Sequence, residues 1–525
     1  MRRQEPPLDP PRPLGSIPAL AAEPPARHLS AASTPSFPSL ERIIVPLSDF
    51  AARAGSAVRA FAEASSDLLI QPTLRLGVTG LARSGKTVFT TALIHHLTEG
   101  RGLPAFAPVH EGRLRRARLV PQPDDDVPRF PFEEHMAALT EERRWPRSTD
   151  RISQFRLAIE YERAGSWRSG PGALMLDVVD YPGEWLLDLA LIEQDYTAWS
   201  RATINGTRRA GRAPFAAPWL DALKGLDPNG PLDEVVAERA SEAFKTYLAA
   251  LRAGPESVAT TPPGRFLMPG DLKGSPALTF APLDGLPETL NPDSLAGLMA
   301  RRFEAYKAKV VLPFFRDHFQ RVDRQIVLVD VLSAVDAGPT ALAELEEALD
   351  AVLLSLNIGR NSFLSRLFAP RADRILFAAT KADHLHQTSH DRLEALLRLL
   401  VSRAMRRTEA AGARVGTVAL ASVRATRETT VHDGGAVLRA VAGTPEAGEI
   451  VDGERFDGLG EAAIFPGELP ARAEAVLEGA VEPGSLRFPR FRPPLVKPDA
   501  LGRSGALPQI RLDRAMQFLI GDRLA

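Results

Sequence analysis

The stretch LGVTGLARSGKT (76–87) matches the pattern G-x-x-x-x-G-K-[ST] at Gly80, Gly85, Lys86 and Thr87. Glycines let the backbone turn sharply and bring several N–H groups close to a phosphate oxygen. The lysine adds positive charge at the β- and γ-phosphates, and the threonine hydroxyl is a hard oxygen ligand that suits Mg²⁺. The pattern therefore predicts a phosphate-binding loop.

The neighbours of this loop support the interpretation. The apolar run TLRLGVTG before it predicts a strand, and TVFTTALIHHLTEG after it predicts a helix whose N-terminal dipole would point at the bound anion. Arg83, Ser84 and Val88 belong to the loop or adjoin it. We expect these three residues to contact the nucleotide as well.

A second pattern, D-x-x-G, follows the apolar run ALMLDVVD in the sequence LDVVDYPGEW. Asp180 would stand at the carboxyl end of a strand, on the edge where α/β sheets hold ligands, and would hold a water bound to Mg²⁺. Gly183 would place its backbone N–H on a γ-phosphate. The same residues are also typical of a simple turn. Their position after the glycine-rich loop in chain order favours the nucleotide-binding interpretation.

A third pattern, T-K-x-D, ends the run DRILFAATKAD at Thr380, Lys381 and Asp383. A carboxylate there would accept hydrogen bonds from N1–H and N2–H₂ of guanine, and adenine has no such pair of donors. The stem of Lys381 would lie along the base. A solvated turn of mixed charge would give the same letters, so the prediction of a guanine site depends on the position at the end of a strand.

Two weaker signals concern the base and the metal. In ALASVRAT (419–426) small residues would let backbone amides reach a carbonyl group of the base, which adds Ser422 and Val423 to the predicted set. A metal-sensing hydroxyl should lie between the loop and the D-x-x-G pattern, and WPRST places Thr149 there, with Ser148 as the competitor. A segment that orders with the γ-phosphate is a common switching device.

Five apolar, β-branched runs would position these motifs. Continuous hydrophobicity, with helical patterns between the runs, predicts an α/β fold with a mostly parallel sheet. An alternating run (153–162) and the run at 173–180 predict a hairpin, which adds one antiparallel edge strand. The five runs begin at residues 73, 173, 324, 373 and 415.

The division of the chain follows from composition and periodicity. A Pro-rich tail would be disordered, and an amphipathic helix after it would pack on its own domain or face a membrane or partner. A long helical insertion, kinked or ended at Pro313, would interrupt the nucleotide-binding domain. The predicted boundaries are 1–38 for the tail, 39–70 for the helix, 71–184 and 323–424 for the nucleotide-binding domain, 185–322 for the insertion, and 425–525 for a C-terminal β-hairpin and helix.

Composition narrows the function classes. The 525 residues carry a formal net charge of −1, so no broad basic surface for nucleic acid is expected. The absence of cysteine rules out disulfides and thiolate catalysis and fits a reducing compartment. No apolar run reaches the length of a membrane span, and prolines interrupt the N-terminus, so we expect a cytoplasmic protein.

The motifs GLARSGKT, WPRST, DYPGEW, TKAD and ASVRAT, in this order, together resemble the bacterial YcjX-like family of P-loop GTPases, from about residue 40 to the C-terminus. The resemblance implies a Ras-like mixed sheet with a helical insertion, GTP and GDP with Mg²⁺, and a stress-associated role. It also suggests a protein partner, including a small inner-membrane protein of phage-shock type, and hence a peripheral place at that membrane. The family's functional positions correspond to Lys86 and Gly183 at the phosphates, Thr87, Thr149 and Asp180 at the metal, and Asp383 at the base.

The sequence departs from wider GTPase patterns at two positions. Thr380 stands where many GTPases have asparagine, which weakens a tie between the base loop and the phosphate loop. Glu184 stands where many have a water-orienting glutamine, and a carboxylate there would polarise a water but repel a γ-phosphate. We therefore expect hydrolysis that is slow or depends on an activator. Arg147, or Arg83 or Arg144, would stabilise transition-state charge unless it is only a solvated arginine.

Two other classes of function fit the same motifs. A P-loop kinase or ATPase would prefer ATP and would be indifferent to a change at Asp383. A GTP-binding assembly module would bind GDP and GTP equally and release no phosphate.

Overall fold

In a computed structural model of the protein, all described residues fall within the unit Ile70–Ala525. The tail predicted at 1–38, the helix predicted within 39–70, and the hydroxyl candidates Ser148 and Thr149 lie outside the described residues. The described ranges are 72–81, 83–147, 151–164, 170–209, 212–254, 261–356, 372–410, 412–433, 436–496 and 505–525.

A seven-stranded sheet in the order β2-β3-β4-β1-β5-β6-β7 forms the centre of this unit. Strands β4, β1, β5, β6 and β7 are parallel neighbours, whereas β3 is antiparallel to both β2 and β4. The carboxyl ends of the parallel strands therefore lie along one edge. The strands are β1 (Thr73–Gly80), β2 (Leu114–Val120), β3 (Ser153–Glu162), β4 (Pro171–Asp180), β5 (Arg324–Val329), β6 (Arg374–Ala379) and β7 (Arg414–Ala419).

The predicted fold class is confirmed, and the predicted hairpin is the pair β3–β4. The prediction that 153–162 forms the edge strand is corrected, because β2 pairs with the outer side of β3 and takes the edge. The sequence of β2, LRRARLV, contains three arginines and leaves most of its side chains exposed or half-buried. An exposed edge strand tolerates such a low apolar content, and because of that low content the sequence of β2 did not predict a strand.

Helices cover both faces of the sheet. Ile326 and Leu328 of β5 pack in one buried cluster with α1 and α15, whereas Val327 and Val329 pack in a second cluster with α11 and α12. Alternating residues of one strand are thus buried on opposite sides, as the continuous apolar runs predict. The helices outside the insertion are α1 (Lys86–Glu99), α2 (Ala107–His110), α3 (Phe132–Thr140), α10 (Val331–Ala337), α11 (Pro339–Leu356), α12 (His390–Leu400), α13 (Ser402–Ala410), α14 (Ala473–Leu477) and α15 (Leu512–Ile520).

The chain between β4 and β5 is helical, in agreement with the periodicity. Its core is aromatic: Trp199 stacks on Phe303 with ring centroids 5.0 Å apart, and Trp219 stacks on Tyr247 at 4.8 Å. A π-helical turn, Lys307–Val311, precedes Pro313, whose ring nitrogen cannot donate to the preceding turn. The helices here are α4 (Glu184–Leu187), α5 (Tyr196–Gly206), α6 (Ala213–Leu223), α7 (Glu234–Ala253), α8 (Leu295–Tyr306) and α9 (Leu312–Asp317).

The C-terminal region adds a second, three-stranded sheet to the unit. Strands β8 (Arg427–Asp433) and β9 (Ala436–Gly443) form an antiparallel pair, and β12 (Ala462–Ile464) pairs with β9. Two short strands, β10 (Ile450–Val451) and β11 (Glu454–Arg455), form a separate pair. Among the helices that the structure describes, none combines the length and apolar character of a membrane span.

Candidate functional site

The glycine-rich loop joins β1 to α1, as the motif requires. Gly85 has a φ of 81° and Arg83 a φ of 62°, so the loop turns through left-handed conformations before α1 begins at Lys86. Gly80 has no room for a side chain, because a Cβ there would lie 2.3 Å from Oγ of Ser84 and 2.6 Å from the Leu328 carbonyl oxygen. Close packing thus explains the glycine at position 80, and the left-handed backbone conformation favours the glycine at position 85.

Lys86 lies under this loop. Its side chain is buried, and Nζ donates a hydrogen bond of 2.9 Å to the carbonyl oxygen of Gly80. Thr87 follows it and is also buried. Among the described residues, the ammonium group therefore donates to a single backbone acceptor. An ammonium group has three N–H donors, so it could also donate to a phosphate.

Asp180 lies beside Lys86 at the carboxyl end of β4. It is 1 % exposed, and neither carboxylate oxygen has a hydrogen-bond partner in the part of the chain that the structure describes. Burial raises the pKa of Asp180 to about 6, and the charge of Lys86 opposes this rise. Buried acceptors without donors are costly. They fit a magnesium ion or one of its waters, so the residues present suit the predicted cation.

Gly183 and Glu184 begin the segment after β4. A Cβ on Gly183 would lie 2.5 Å from the Gly80 carbonyl oxygen, so this segment packs directly on the loop. Glu184 is 5 % exposed, and its carboxylate lies 3.5 Å from Nη2 of Arg252 on α7. This distance makes an ion pair, while neither Glu184 oxygen has a hydrogen bond among the described residues.

Asp188, near the start of the insertion, links the segment after β4 to later residues of the insertion. It accepts hydrogen bonds from the hydroxyl of Tyr306 at 2.6 Å, the N–H of Gly264 at 2.7 Å and the N–H of Arg265 at 3.3 Å. Burial raises the pKa of Asp188 to about 6, and the hydrogen bond from Tyr306 opposes the rise. The Arg265 guanidinium also lies 3.3 Å from the ring centroid of Trp185. The segment after β4 is thus joined to the insertion through polar and aromatic contacts.

The predicted base-reading residues lie at the ends of β6 and β7. Asp383 is 5 % exposed, and its Oδ2 accepts a hydrogen bond of 2.8 Å from the N–H of Ala425. Thr380 donates to the Val329 carbonyl oxygen of β5 at 3.3 Å, so its contact is with the sheet. Lys381 has a φ of 60°, which turns the chain sharply before Asp383.

Asp330, which the sequence interpretation missed, anchors Lys381. It forms an ion pair with Nζ of Lys381 and accepts hydrogen bonds from the N–H and the hydroxyl of Ser333. Burial alone would raise the pKa of Asp330, but Lys381 and Ser333 outweigh it and hold the pKa below its usual range. Asp330 follows an apolar strand directly, so the reasoning that identified Asp180 could also have identified it.

A cleft of about 860 Å³ brings the loop and the base-reading residues together. Asp180, Gly183 and Glu184 are buried and do not line it, and exposed Arg147 does not line it either. His384, next to the T-K-x-D motif in the sequence, borders the cleft, whereas the lining residues Trp145, Phe488 and Phe491 gave no signal in the sequence. The predicted residues that line the cleft are Arg83, Ser84, Gly85, Lys86, Thr87, Val88, Arg144, Thr380, Lys381, Asp383, Ser422 and Val423.

The chain is similar to known proteins over most of its length. The model of the YcjX-like family, DUF463, matches residues 74–524. A protein of Escherichia coli (strain K12) named "Ras-like GTPase YcjX" is 37% identical over 466 residues, which cover 86% of this chain and 96% of that protein. A protein of the same name from Shewanella oneidensis is 33% identical over 481 residues, covering 86% of this chain and 94% of that protein. The chain belongs to the YcjX-like family.

Proposed function

We propose that the protein is a Mg²⁺-dependent GTPase that switches between GTP-bound and GDP-bound states. One observation supports this most directly: a single cleft has the glycine-rich loop and Lys86 on its wall together with Asp383. Such a cleft suits a ligand with phosphates and a guanine base. The names of the two relatives support the same activity.

Each group has a defined task in this proposal. Loop amides and Lys86 bind the phosphates, and Asp383 accepts hydrogen bonds from guanine while Ala425 keeps one of its oxygens oriented. Thr87, Asp180 and the predicted Thr149 would hold Mg²⁺. When bound, the cation would neutralise negative charge on the phosphates. Gly183, which packs on Gly80, would register whether a γ-phosphate is present.

We further propose that intrinsic turnover is slow or depends on a partner. Glu184 is held by Arg252 of the insertion, so its carboxylate is engaged away from an attacking water in this arrangement. An activator that frees Glu184, or that directs Arg147 to the phosphates, would raise the rate. The family resemblance supports a stress-associated role, a cytoplasmic protein, and an inner-membrane protein as partner.

A competition experiment tests the proposal. With Mg²⁺ present, GTP should displace a fluorescent GDP analogue, and ATP should be weaker by about a hundredfold. Lys86→Ala should weaken GDP binding about tenfold to a hundredfold, because a charged hydrogen bond to phosphate is lost. Lys224→Ala, which removes an exposed lysine on the insertion, is the matched control and should bind like the unmodified protein.

The two alternatives give different results in the same assays. Preference for ATP, together with indifference to Asp383→Asn, would favour a kinase or ATPase. Equal affinity for GDP and GTP, with no release of phosphate even when membranes or partners are added, would favour an assembly module. Absence of any nucleotide binding by folded protein with Mg²⁺ would contradict all three.

A further inference from the structure

A segment near the C-terminus, residues 488–491, lies on the wall of the nucleotide cleft. We call it the C-terminal arm. Phe488, Arg490 and Phe491 line the cleft beside Asp383 and the loop. These residues lie about a hundred positions beyond the T-K-x-D motif, and no motif in the sequence connects them with nucleotide binding.

The C-terminal arm is fixed in place by the second sheet. Phe491 is 2 % exposed and packs with Val441 and Ile464. The N–H of Glu446 donates to the Arg490 carbonyl oxygen at 2.7 Å, and the N–H of Arg490 donates to the Glu449 carboxylate at 2.9 Å. Ordered backbone contacts on both sides indicate a built wall of the cleft.

Aromatic rings join the C-terminal arm to the base-reading loop. His384, the residue after Asp383, contacts Phe491 edge to face with ring centroids 5.7 Å apart and Phe488 at 6.1 Å. His384 therefore contacts both rings, and Phe488 is half-buried, so that part of it stays accessible. The carboxylate that would read the edge of a base and a ring that could contact its face thus line the same cleft, and the residue after that carboxylate contacts the ring.

The C-terminal arm also contacts the segment that leads to the predicted metal-sensing residue Thr149. Nε1 of Trp145 donates a hydrogen bond of 2.7 Å to the Phe491 carbonyl oxygen. Just beyond the arm, the Pro493 carbonyl oxygen accepts a hydrogen bond of 3.2 Å from Nε of Arg143. Trp145 lines the cleft as well. Two distant parts of the chain therefore meet at the same wall.

We infer that the C-terminal arm is part of the nucleotide site and that Phe488 is a specificity residue, on whose ring the guanine base packs. This inference rests on the proposed guanine-nucleotide function and assigns to the C-terminal region a direct role in it. Stacking between a base and an aromatic side chain is tolerant of small shifts and contributes substantially to nucleotide affinity. The phosphates make no use of this ring.

Titration calorimetry with GDP and with inorganic pyrophosphate, each with Mg²⁺, tests the inference. Phe488→Ala should weaken GDP binding between about fivefold and a hundredfold and leave pyrophosphate binding unchanged. Phe488→Tyr should bind GDP within about threefold of the unmodified protein, because it keeps the flat ring. Phe488→Leu keeps the apolar bulk without the ring, so it should also lose GDP affinity. It replaces Phe488→Ala as the test if that variant does not fold.

Phe518→Ala is the matched control, since it removes a half-buried ring on α15 that does not line the cleft. It should bind GDP normally. The inference is overturned if folded Phe488→Ala and Phe488→Leu bind GDP like the unmodified protein, if pyrophosphate binding falls equally, or if Phe518→Ala loses as much GDP affinity. Failure of the unmodified protein to bind GDP would instead overturn the proposed function.

Discussion

Gly183 lies against the backbone of Gly80, so that a Cβ on Gly183 would meet the carbonyl oxygen at 2.5 Å and the carbonyl carbon at 2.6 Å. The same oxygen accepts the hydrogen bond from Nζ of Lys86. One carbonyl group therefore contacts both Lys86 and the segment after β4. In the proposed switch, a change in the loop on phosphate binding would be transmitted to Gly183 by direct packing.

The first prediction concerns this contact. Gly183→Ala should lower the free energy of unfolding by about 1–3 kcal/mol and weaken GTP binding, because the clashing atoms belong to the backbone and must shift. Urea unfolding and nucleotide titration measure the two effects. Gly460→Ala is the control, since a Cβ there meets nothing within 4 Å, and it should change neither quantity. A Gly183→Ala protein as stable as the unmodified one would contradict the packing.

The second prediction concerns the choice of base. In Asp383→Asn the amide oxygen can still accept the hydrogen bond from Ala425, so the loop should keep its conformation. The amide nitrogen would then face guanine N–H donors and leave them unpaired. We expect GDP affinity to fall by at least about a hundredfold and xanthosine diphosphate, which offers an acceptor there, to bind instead. Binding titrations with the two diphosphates check this exchange, and an unchanged preference for GDP would contradict the role of Asp383.

Sequence patterns were sufficient to predict the parts of the fold in which neighbouring residues serve one ligand or one strand. The loop from Gly80 to Thr87 and the end of β6 at Thr380 are such cases, and continuous apolar runs identified every parallel strand. Strand β2 was missed because an edge strand needs little apolar surface, so its arginines masked the pattern.

Contacts between distant segments could not be predicted in this way. Trp145 and Phe491 are 346 positions apart, and no local pattern shows that they share a hydrogen bond. Arg252 lies in a helix whose sequence shows only amphipathic periodicity, yet the fold places it beside Glu184. Such pairs depend on how the insertion and the C-terminal region pack, which a single sequence does not encode in any local spacing.

The third prediction concerns pH. The pKa of Asp188 in the folded protein is raised from 3.8 to about 6, so the folded state holds this proton more tightly than the unfolded chain. The stability that the neutral carboxyl contributes is present below pH 4 and is lost as the pH rises through about 6. Between these limits the unmodified protein should lose up to about 3 kcal/mol of unfolding free energy relative to Asp188→Asn, which cannot titrate there. Urea unfolding of both proteins at several pH values measures the difference. Asp180 titrates in both proteins, so its contribution cancels in the difference between their unfolding free energies. A difference that stays constant with pH would contradict the raised pKa of Asp188.

The fourth prediction concerns the ion pair between the insertion and the segment after β4. Arg252→Ala leaves the carboxylate of Glu184 buried without its cation and should lower the free energy of unfolding by about 1–3 kcal/mol. Adding Glu184→Gln removes the buried charge, so the double variant should recover much of the loss. The exposed pair between Arg209 of the insertion and Glu347 of α11 gives a matched cycle in which the coupling should stay below about 1 kcal/mol. If the two cycles gave the same coupling energy, the Arg252–Glu184 pair would be no stronger than a solvated surface pair. That result would contradict an electrostatic link between the insertion and the segment after β4.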